Sequence, residues 1–456
     1  MRIKTDINDY IFRGYDIRGI YEKDLDEDVA YTIGLAFGTK LVKERKNTTV
    51  IGYDNRSSSP FLFKALAKGI NETGVDVINI GLVTTPMYYY ALKLFKTTSG
   101  IMITASHNPK EYNGFKMSFN GIYNTYGEYI QEFKELVKSC DFIQGKDGKI
   151  ITKDIKNDYL DYILESISFG PKRLKVVVDC GNGTTSVIAK ELFDRLNIDY
   201  IPLFFESDPN FPNHHPDPSV PENLIHLKET VKEVKADLGI AFDGDGDRVG
   251  VVSEKGEMIN VDLLMVIFIR DLLPKLKDKR ILFDVKCSKA LKDEIVKLGG
   301  IPIQYRTGNS YLRAKVVEDN IKFGGELSGH IFFNDKFYGA DDGFYAALRI
   351  LEILTNTDKT ISELLEGVNK YYSTPEIKLS TPDNIKFEKI EKVKQYCEEK
   401  GYKTLAIDGC KVLFDDGFAL IRASNTGPNI TLRFEAKTEE RLNEIRNEFL
   451  ELMKTI

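Results

Sequence analysis

The amino-acid sequence predicts an α/β protein of three related α/β domains with mixed sheets, followed by a smaller C-terminal α+β domain. Two observations lead to this fold class. A pair of strand-like segments occurs three times along the chain, and the pattern then changes to short strands separated by Asp-Gly turns. The chain has 456 residues, which at roughly 150 residues per domain is enough for about three domains or more.

The first segment of each repeat is an apolar run that ends in Asp and a polar turn. It reads VIGYDNRSS from Val50, VVVDCGNGT from Val176 and ILFDVKCSK from Ile281. Such runs are typical of a buried strand that leads through a loop into a helix. Helical patterns follow two of them, at 61–73 and 290–298.

The second segment of each repeat is a short apolar run that ends in a loop rich in polar residues. It reads SGIMITASHNP from Ser99, ADLGIAFDGDGDR from Ala236 and NIKFGGELSGH from Asn320. Loops at the carboxyl ends of strands form the binding crevice of α/β sheets. We therefore interpret the three repeats as products of internal duplication and expect the polar loops to carry the function.

The chain from Glu376 onward has a different pattern. Asp-Gly pairs at 408–409 and 416–417 favour hairpins, and two helical patterns accompany them, near 384–400 and from Thr438. In the second pattern, apolar residues at 442, 445, 449 and 452 lie on one face. We predict an antiparallel sheet with helices, preceded by a hinge at 371–375. The predicted domains are 1–152, 153–254, 255–370 and 371–456.

The composition argues against a nucleic-acid-binding, disulfide-rich or membrane-spanning protein. The net charge of -6 and the pI of about 5.7 give no reason to expect a nucleic-acid partner. The five cysteines are scattered and form no CxxC pair, which favours a reducing cytosol over a disulfide framework or a zinc site. No signal-peptide or membrane-spanning stretch is visible. We expect a cytoplasmic protein without a membrane partner.

The loop 104–109 contains Ser106. A serine hydroxyl becomes a useful nucleophile when a base, a metal or a positive field assists it, and a phosphorylated serine could pass its phosphoryl group to a sugar hydroxyl. The same residue types also favour an ordinary turn, so this loop alone does not decide the function.

The loop 243–248 alternates Asp243, Asp245 and Asp247 with glycines. Three carboxylates at this spacing can converge on one hard cation, and we favour magnesium. A solvated acidic turn is the simplest alternative. An EF-hand calcium loop is the second alternative, but it needs Gly where Arg248 stands, and the flanks read as strands.

Two further loops supply polar groups. Glu326, Ser328 and His330 could bind sugar hydroxyls and handle a proton, although a glycine-rich turn explains them too. Arg422 and Arg433 border a loop that could hold a phosphate, with a charged hairpin as the alternative. The segment 181–186 lacks the third glycine of a dinucleotide fingerprint, and we interpret it as a strand-to-helix turn.

Together and in this order, these loops resemble the α-D-phosphohexomutase family, and within it the phosphomannomutase/phosphoglucomutase branch. The resemblance covers essentially the whole chain and includes FRGYDIRG from Phe12, TASHNP from Thr104, DGDGDR from Asp243, GELSGH from Gly325 and RASNTGPNITLRFE from Arg422. It implies four domains around a central cleft. The implied activity is a Mg²⁺-dependent exchange of the 1- and 6-phosphates of mannose or glucose, with a hexose 1,6-bisphosphate intermediate and glucose 1,6-bisphosphate as activator.

The resemblance also implies roles for individual residues. Ser106 would be the phosphoserine, and the three aspartates would hold Mg²⁺ together with a phosphoserine oxygen. The other implied catalytic residues are Arg18, Lys116, Lys286 and His330. The implied substrate-binding residues are Tyr15, His107, Asn108, Arg248, Gly308, Glu326, Ser328, Arg422, Ser424, Asn425, Thr426 and Arg433.

Two positions depart from the pattern of the branch. Asn309 stands where a histidine is often found and cannot shuttle a proton near neutral pH. Leu327 stands where related branches often have Met or Gln, and it favours the mannose/glucose branch. Phosphoglucosamine mutase is the nearest alternative function. A sugar phosphatase is a second, which the loop at Arg422 argues against. We expect a sugar phosphate as the small-molecule partner and a monomer or homodimer.

Overall fold

The computed structural model of the chain describes residues 1–424 and 427–456. Its strands, in chain order, are β1 (Ile17–Ile20), β2 (Thr48–Tyr53), β3 (Asp76–Leu82), β4 (Gly100–Ile103), β5 (Tyr112–Asn120), β6 (Tyr123–Asn124), β7 (Ile150–Thr152), β8 (Lys175–Asp179), β9 (Asp199–Leu203), β10 (Leu238–Phe242), β11 (Val249–Ser253), β12 (Met258–Ile259), β13 (Arg280–Asp284), β14 (Ile301–Tyr305), β15 (Phe323–Gly325), β16 (Ile331–Phe333), β17 (Tyr372–Ser373), β18 (Ile377–Ser380), β19 (Thr404–Leu405), β20 (Cys410–Phe414), β21 (Gly417–Ala423) and β22 (Asn429–Ala436).

The α-helices are distributed between these strands. They are α1 (Glu27–Lys43), α2 (Ser59–Glu72), α3 (Thr85–Leu94), α4 (Glu128–Ser139), α5 (Lys156–Glu165), α6 (Ser186–Asp194), α7 (Ile225–Val234), α8 (Val261–Leu272), α9 (Lys289–Lys297), α10 (Asn309–Glu318), α11 (Gly343–Thr355), α12 (Asp383–Glu399) and α13 (Glu439–Thr455). Two of them, α2 and α9, cover the segments where the sequence predicts helices after the first strand of a repeat.

The chain folds into two compact units. The first unit comprises residues 1–260 and 328–364, and the second comprises 261–327 and 365–456. The first unit contains two mixed sheets, with strand orders β1-β5-β4-β2-β3-β7 and β12-β11-β10-β8-β9. Parallel pairs lie at the centre of each sheet, and antiparallel strands such as β5 and β11 extend one side.

The second unit contains a parallel array and an antiparallel sheet. Strands β14 and β15 both pair in parallel with β13. The other sheet has the order β17-β22-β21-β20-β19, with β18 also paired to β22, and all its pairs are antiparallel. The segment predicted as a hinge therefore contributes β17 to this sheet. The helix face predicted in α13 is confirmed, because Ile445 and Phe449 are buried and Leu442 and Leu452 pack against the same core. The structure adds Met453, which is also buried.

The repeated segments are confirmed as neighbouring strands. In each repeat the first strand pairs in parallel with the strand that leads to the polar loop, giving β2 with β4, β8 with β10, and β13 with β15. Because parallel neighbours end at the same edge of a sheet, each polar loop lies beside the turn that follows the first strand.

An aspartate occupies the same place in all three repeats, at or just after the end of the first strand. Asp54 accepts hydrogen bonds from Arg56, Asp179 accepts one from the Gly181 amide, and Asp284 accepts one from the Thr307 hydroxyl. All three carboxylates are buried. Each carboxylate accepts hydrogen bonds from the adjacent turns. A buried carboxylate requires such donors, because it has lost its contact with water.

Helices α1 and α2 cross at close range over the first sheet. A methyl group on Gly34 would lie 2.3 Å from the Leu66 carbonyl oxygen, and one on Gly69 would lie 2.3 Å from the Tyr31 carbonyl oxygen. Only glycine permits this approach, which brings the two backbones together in the main core of the first unit. Within the described residues, no helix has the length and apolar character needed to cross a membrane.

We predict that Gly69→Ala lowers the free energy of unfolding of the first unit by about 1–3 kcal/mol, because the helices must separate to admit the methyl group. Urea unfolding followed by far-UV circular dichroism would measure it. The control is Lys64→Ala, at an exposed position of α2, which should change stability by less than about 0.5 kcal/mol. Equal stability of the two variants would contradict the packing argument.

Candidate active site

Ser106 lies in the loop after β4 with an unusual backbone conformation. Its φ angle is +50°, in the left-handed region that non-glycine residues seldom adopt. Its amide donates to the Thr104 hydroxyl at 2.9 Å, and its own hydroxyl donates to Asp243 Oδ2 at 2.8 Å. The hydroxyl oxygen is also 3.2 Å from His107 Nδ1. The nucleophile candidate is thus buried and held against a carboxylate.

The acidic loop connects antiparallel strands β10 and β11. Asp243, Asp245 and Asp247 are fully buried, and one oxygen of each lies within 4.8 Å of the others. The loop is closed by Asp243 Oδ1, which accepts hydrogen bonds from the amides of Gly246 and Arg248 at 3.0 and 3.1 Å. Because strands and not helices flank the loop, the EF-hand interpretation is excluded.

One lysine from β5 compensates part of this negative charge. Lys116 Nζ lies 2.8 Å from Asp245 Oδ2 and 2.6 Å from Asp247 Oδ2. Although burial opposes it, the two carboxylates raise the pKa of Lys116 well above its usual range. Burial and the neighbouring Asp245 and Asp247 raise the pKa of Asp243 well above its ordinary value. One cation is therefore not enough for three buried carboxylates.

The carboxylates also leave acceptor atoms for a metal ion. Asp245 Oδ1 and Asp247 Oδ1 are buried and have no hydrogen-bond partner among the residues that the structure describes. The other oxygen of Asp245 is fully used, since it accepts from the hydroxyls of Thr85 and Thr104 as well as from Lys116. Hard carboxylate oxygens of this kind fit a hard divalent cation such as Mg²⁺.

His330 lies between Arg248 and Asp341. Arg248 Nε donates to His330 Nε2 at 3.0 Å, and His330 Nδ1 is 2.7 Å from Asp341 Oδ2. A guanidinium can only donate, so Nε2 is the acceptor, and we infer that the ring proton is on Nδ1 and faces Asp341. The same Nδ1 is 3.6 Å from Asp247 Oδ1. His330 and Arg248 are thereby both fixed beside the acidic loop.

The predicted substrate-side residues of the first unit adjoin Ser106. Arg18 Nη1 donates to Asn108 Oδ1 at 2.6 Å, and its Nη2 donates to Asp16. Burial, followed by the positive charges of Arg248 and Arg18, lowers the pKa of His107 well below its ordinary value. His107 is therefore neutral near pH 7. Tyr15 is half-buried just before β1.

In the second unit, Lys286 is surrounded by carboxylates. Its Nζ lies 3.2 Å from Glu376, 3.8 Å from Glu326 and 4.0 Å from Asp284. Burial lowers the pKa of Lys286, but these three carboxylates outweigh it and raise the pKa above the usual range. Lys286 is accordingly a fixed cation, and Glu326 is held beside it.

Arg422 and Arg433 lie on one face of the antiparallel sheet. They come from neighbouring strands β21 and β22, where Arg433 pairs with Leu420, two residues before Arg422. Arg422 Nε donates to Asp408 Oδ2 at 2.9 Å, and Arg433 Nη1 donates to the Lys286 carbonyl oxygen at 2.6 Å. The two guanidiniums give this face two buried positive charges.

The remaining predicted residues lie at loop ends. Gly308, with φ +127°, precedes α10, whose first residue is the buried Asn309. Ser424 follows β21, and its amide donates to the Asn429 carbonyl at 2.9 Å. Ser328 belongs to the first unit and has a buried hydroxyl oxygen, which forms no hydrogen bond within residues 1–424 and 427–456. The predicted residues Asn425 and Thr426 lie outside the residues that the structure describes.

Four residues at these sites escaped the sequence analysis. They are Arg56 beside the Ser106 loop, Asp341 at His330, Asp408 at Arg422 and Glu376 at Lys286. Only Arg56 carried a visible signal, since it stands in the repeated segment VIGYDNRSS. The three acidic residues contact partners outside their own motifs, Asp341 at 11 residues, Asp408 at 14 and Glu376 at 90.

The comparison with known families decides the class of protein. Four consecutive ranges match domain models of phosphoglucomutase/phosphomannomutase: the alpha/beta/alpha domains I, II and III at 9–142, 157–256 and 260–371, and the C-terminal domain at 376–452. The chain belongs to the phosphoglucomutase/phosphomannomutase family. The resemblance, the fold class and the assignment as a phosphohexomutase enzyme are thereby confirmed. The four domain boundaries and the individual residue roles remain predictions.

Individual members of the family are similar over nearly the whole chain. A phosphomannomutase/phosphoglucomutase of Pseudomonas syringae pv. tomato is 42% identical, with 98% of this chain and 96% of that protein covered. A phosphoglucomutase of Neisseria gonorrhoeae is 40% identical, with coverage of 96% and 95%. The crystal structure of a family member from Burkholderia thailandensis superposes with a TM-score of 0.91 at 40% identity, covering 98% of each chain.

We predict that Mg²⁺ raises the Tm of the protein in a concentration-dependent way, because a ligand that binds only the folded state stabilises it by mass action. Asp245→Asn should remove most of this shift. Thermal unfolding across a series of Mg²⁺ concentrations would measure it, with the exposed Glu229→Gln as a control that keeps the full shift. An identical response of all three proteins would argue against the acidic loop as the binding site.

Proposed function

We propose that this family member interconverts the 1-phosphate and the 6-phosphate of a hexose, mannose and/or glucose, with Ser106 as the phosphoryl carrier. One observation carries the proposal: the Ser106 hydroxyl donates to Asp243, within a loop of three buried carboxylates. The names of the relatives from Pseudomonas syringae and Neisseria gonorrhoeae support both sugars.

The proposed cycle has two phosphoryl transfers. The phosphorus–oxygen bond of phospho-Ser106 breaks as a free hydroxyl of the sugar phosphate attacks, which gives a hexose 1,6-bisphosphate and frees the serine. The bisphosphate turns end for end, and Ser106 takes the other phosphoryl group. Phosphoryl transfer of this kind depends on positioning and on positive charge around the moving group.

Residues of the first unit supply both requirements. Lys116 places a permanent positive charge beside the acidic loop, and Arg248 and Arg18 add two more near Ser106. His330 and Lys286 are the proposed proton-handling or charge-stabilising residues. Because the single Ser106 hydroxyl proton goes to Asp243, neutral His107 can donate a hydrogen bond from Nδ1 to the Ser106 oxygen.

We propose that Asp243, Asp245 and Asp247 hold Mg²⁺, together with an oxygen of the phosphorylated serine. When bound, the ion would neutralise negative charge on the phosphoryl group. Glucose 1,6-bisphosphate is the proposed activator, because it can phosphorylate Ser106 before the first turnover.

The second unit contains most of the residues that are proposed to bind the non-reacting phosphate and the sugar hydroxyls of the substrate. Arg422, Ser424 and Arg433, with Asn425 and Thr426, are proposed to hold the phosphate that is not reacting. The geometry that supports this is the shared sheet face of the two arginines, since guanidinium groups bind phosphate oxygens in pairs. Glu326, together with Ser328 of the first unit, is proposed to bind sugar hydroxyls, and Gly308 is proposed to contact the substrate.

The setting of the enzyme is also a proposal. The scattered cysteines without a CxxC pair support a cytoplasmic protein, and the net charge of -6 supports the absence of a nucleic-acid partner. We further propose a monomer or a homodimer, which light scattering of the purified protein would distinguish.

We predict that Ser106→Ala lowers turnover of sugar phosphates by at least about 1,000-fold, because the phosphoryl carrier is lost. The assay is conversion of the 1-phosphates of mannose, glucose and glucosamine side by side, with Mg²⁺ and a trace of glucose 1,6-bisphosphate. Activity on glucosamine phosphate alone would instead indicate a phosphoglucosamine mutase. Release of free phosphate at the mutase rate would indicate a phosphatase, and near-normal turnover by the variant would exclude the serine mechanism.

We predict that Asp408→Asn raises KM for the sugar phosphate about ten-fold with a smaller change in kcat. The uncharged amide orients Arg422 less firmly, and a charge-assisted hydrogen bond is worth about 1.5–3 kcal/mol. The control is Asp416→Asn, because Asp416 pairs with Arg441 on the exposed side of the same domain. If both variants have the same KM, Asp408 does not support phosphate binding.

A further inference from the structure

Arg56 is a fully buried arginine whose two terminal nitrogens, Nη1 and Nη2, donate all their hydrogen bonds to one short loop. It follows β2 and is 1% exposed. Its Nη1 atom donates to the carbonyl oxygens of Pro109 and Tyr112 at 2.6 and 3.0 Å, and its Nη2 atom donates to those of Ser106 and Asn108 at 2.9 and 2.7 Å. One side chain thus binds four backbone carbonyls of residues 106–112.

The fifth donor of Arg56 is also used. Its Nε atom donates to Asp54 Oδ2 at 3.1 Å, and the Arg56 amide donates to Asp54 Oδ1. A guanidinium has five N–H groups in a planar fork, and each has a different acceptor here. A lysine in the same place has three donors and no fork, so it cannot reproduce this set.

The loop that Arg56 binds needs an external restraint. Ser106 has a φ of +50°, and a non-glycine residue keeps such a conformation only where its surroundings enforce it. Arg56 Nη2 binds the carbonyl oxygen of this same residue. The hydrogen bond fixes the peptide that follows Ser106 and hence the direction in which the Ser106 hydroxyl points.

The guanidinium is itself held from two further sides. Asp54 accepts a hydrogen bond from the Ser59 hydroxyl at 2.6 Å, which fixes the carboxylate that faces Arg56. The ring of Phe211 lies 5.6 Å from the guanidinium carbon, within the range of a cation–π contact. Phe211 comes from the loop that follows β9, within the same unit. Arg56 is therefore immobile, as a residue that positions another must be.

We propose that Arg56 is the positioning residue of the phosphoryl carrier: it holds the 106–112 loop so that the Ser106 hydroxyl stays directed at the acidic loop. This inference rests on the proposed role of Ser106. Arg56 touches neither substrate nor the transferred group, so it acts through Ser106 and should affect the chemical step more than substrate affinity.

The test compares Arg56→Lys with Arg349→Lys. Arg349 is a matched control, because it is also a buried arginine of the first unit that pairs with a carboxylate, Asp335, and lies over an aromatic ring, Phe333 at 4.4 Å. Both variants should lower Tm. At a temperature well below either Tm, with enzyme charged by glucose 1,6-bisphosphate, Arg56→Lys should lower kcat for glucose 1-phosphate about 100-fold, as misplaced reacting groups do.

The same experiment separates a positioning role from a merely structural one. The KM of Arg56→Lys should stay within about three-fold of the unmodified enzyme, and Arg349→Lys should keep both constants. Equal kcat of the two lysine variants would overturn the inference. Ser106→Ala, measured in the same assay, distinguishes the two proposals. If Ser106→Ala is active, the proposed function is wrong. If it is inactive and the two lysine variants have equal kcat, only the positioning role of Arg56 is wrong.

A milder variant covers the case in which Arg56→Lys does not fold. Phe211→Leu removes the ring beside the guanidinium and leaves all five hydrogen bonds, so kcat should fall about three- to ten-fold. Its control is Phe205→Leu on the same loop, where Phe205 stacks on Tyr200. If these two variants have equal kcat, the inference is again overturned.

Discussion

Three carboxylates in one buried loop repel one another, and the first unit places positively charged side chains beside them to offset this repulsion. Asp243, Asp245 and Asp247 cannot all stay ionised without positive charge close by. Lys116 supplies one charge through two short ion pairs, Arg248 Nε adds a second at 3.8 Å from Asp243 Oδ2, and the proposed Mg²⁺ would supply the rest. The mixed sheet explains how this is possible, because antiparallel β5 brings Lys116 beside β4, the strand that leads to Ser106.

The second unit contains buried positive charges, and carboxylates lie beside them to compensate these charges. Lys286, Arg422 and Arg433 are buried cations, and acidic groups such as Glu376 and Asp408 lie beside them. A buried charge needs a partner, yet an enzyme for anionic sugars needs cations that can still attract phosphate. Carboxylates at 3–4 Å from Lys286 keep the cation in place without a close bidentate contact that would occupy it fully.

Sequence patterns predicted the elements and the loops better than the contacts between them. The repeated apolar runs identified β2, β8 and β13, because buried parallel strands carry a continuous apolar signal. The carboxylates of the acidic loop were recognisable because their spacing is local. The roles of Arg56 and Asp408 were not recognisable, because Arg56 binds a loop 50 residues further along the chain and Asp408 binds Arg422, 14 residues further on. Neither contact belongs to a local sequence motif. The predicted face of α13 is confirmed, since Leu442 and Leu452 pack against the same core as buried Ile445 and Phe449, and the structure adds Met453 to it.

Each of the three repeats has a buried aspartate at the end of its first strand, whatever loop follows. Asp54, Asp179 and Asp284 keep the same place at the end of the first strand but bind different donors. The acceptor is thus common to the three repeats, and the donor differs from one repeat to the next. For protein engineering, this means that a new loop could be grafted onto any of the three sheets, provided that the loop contains a hydrogen-bond donor for the buried aspartate at the end of the first strand.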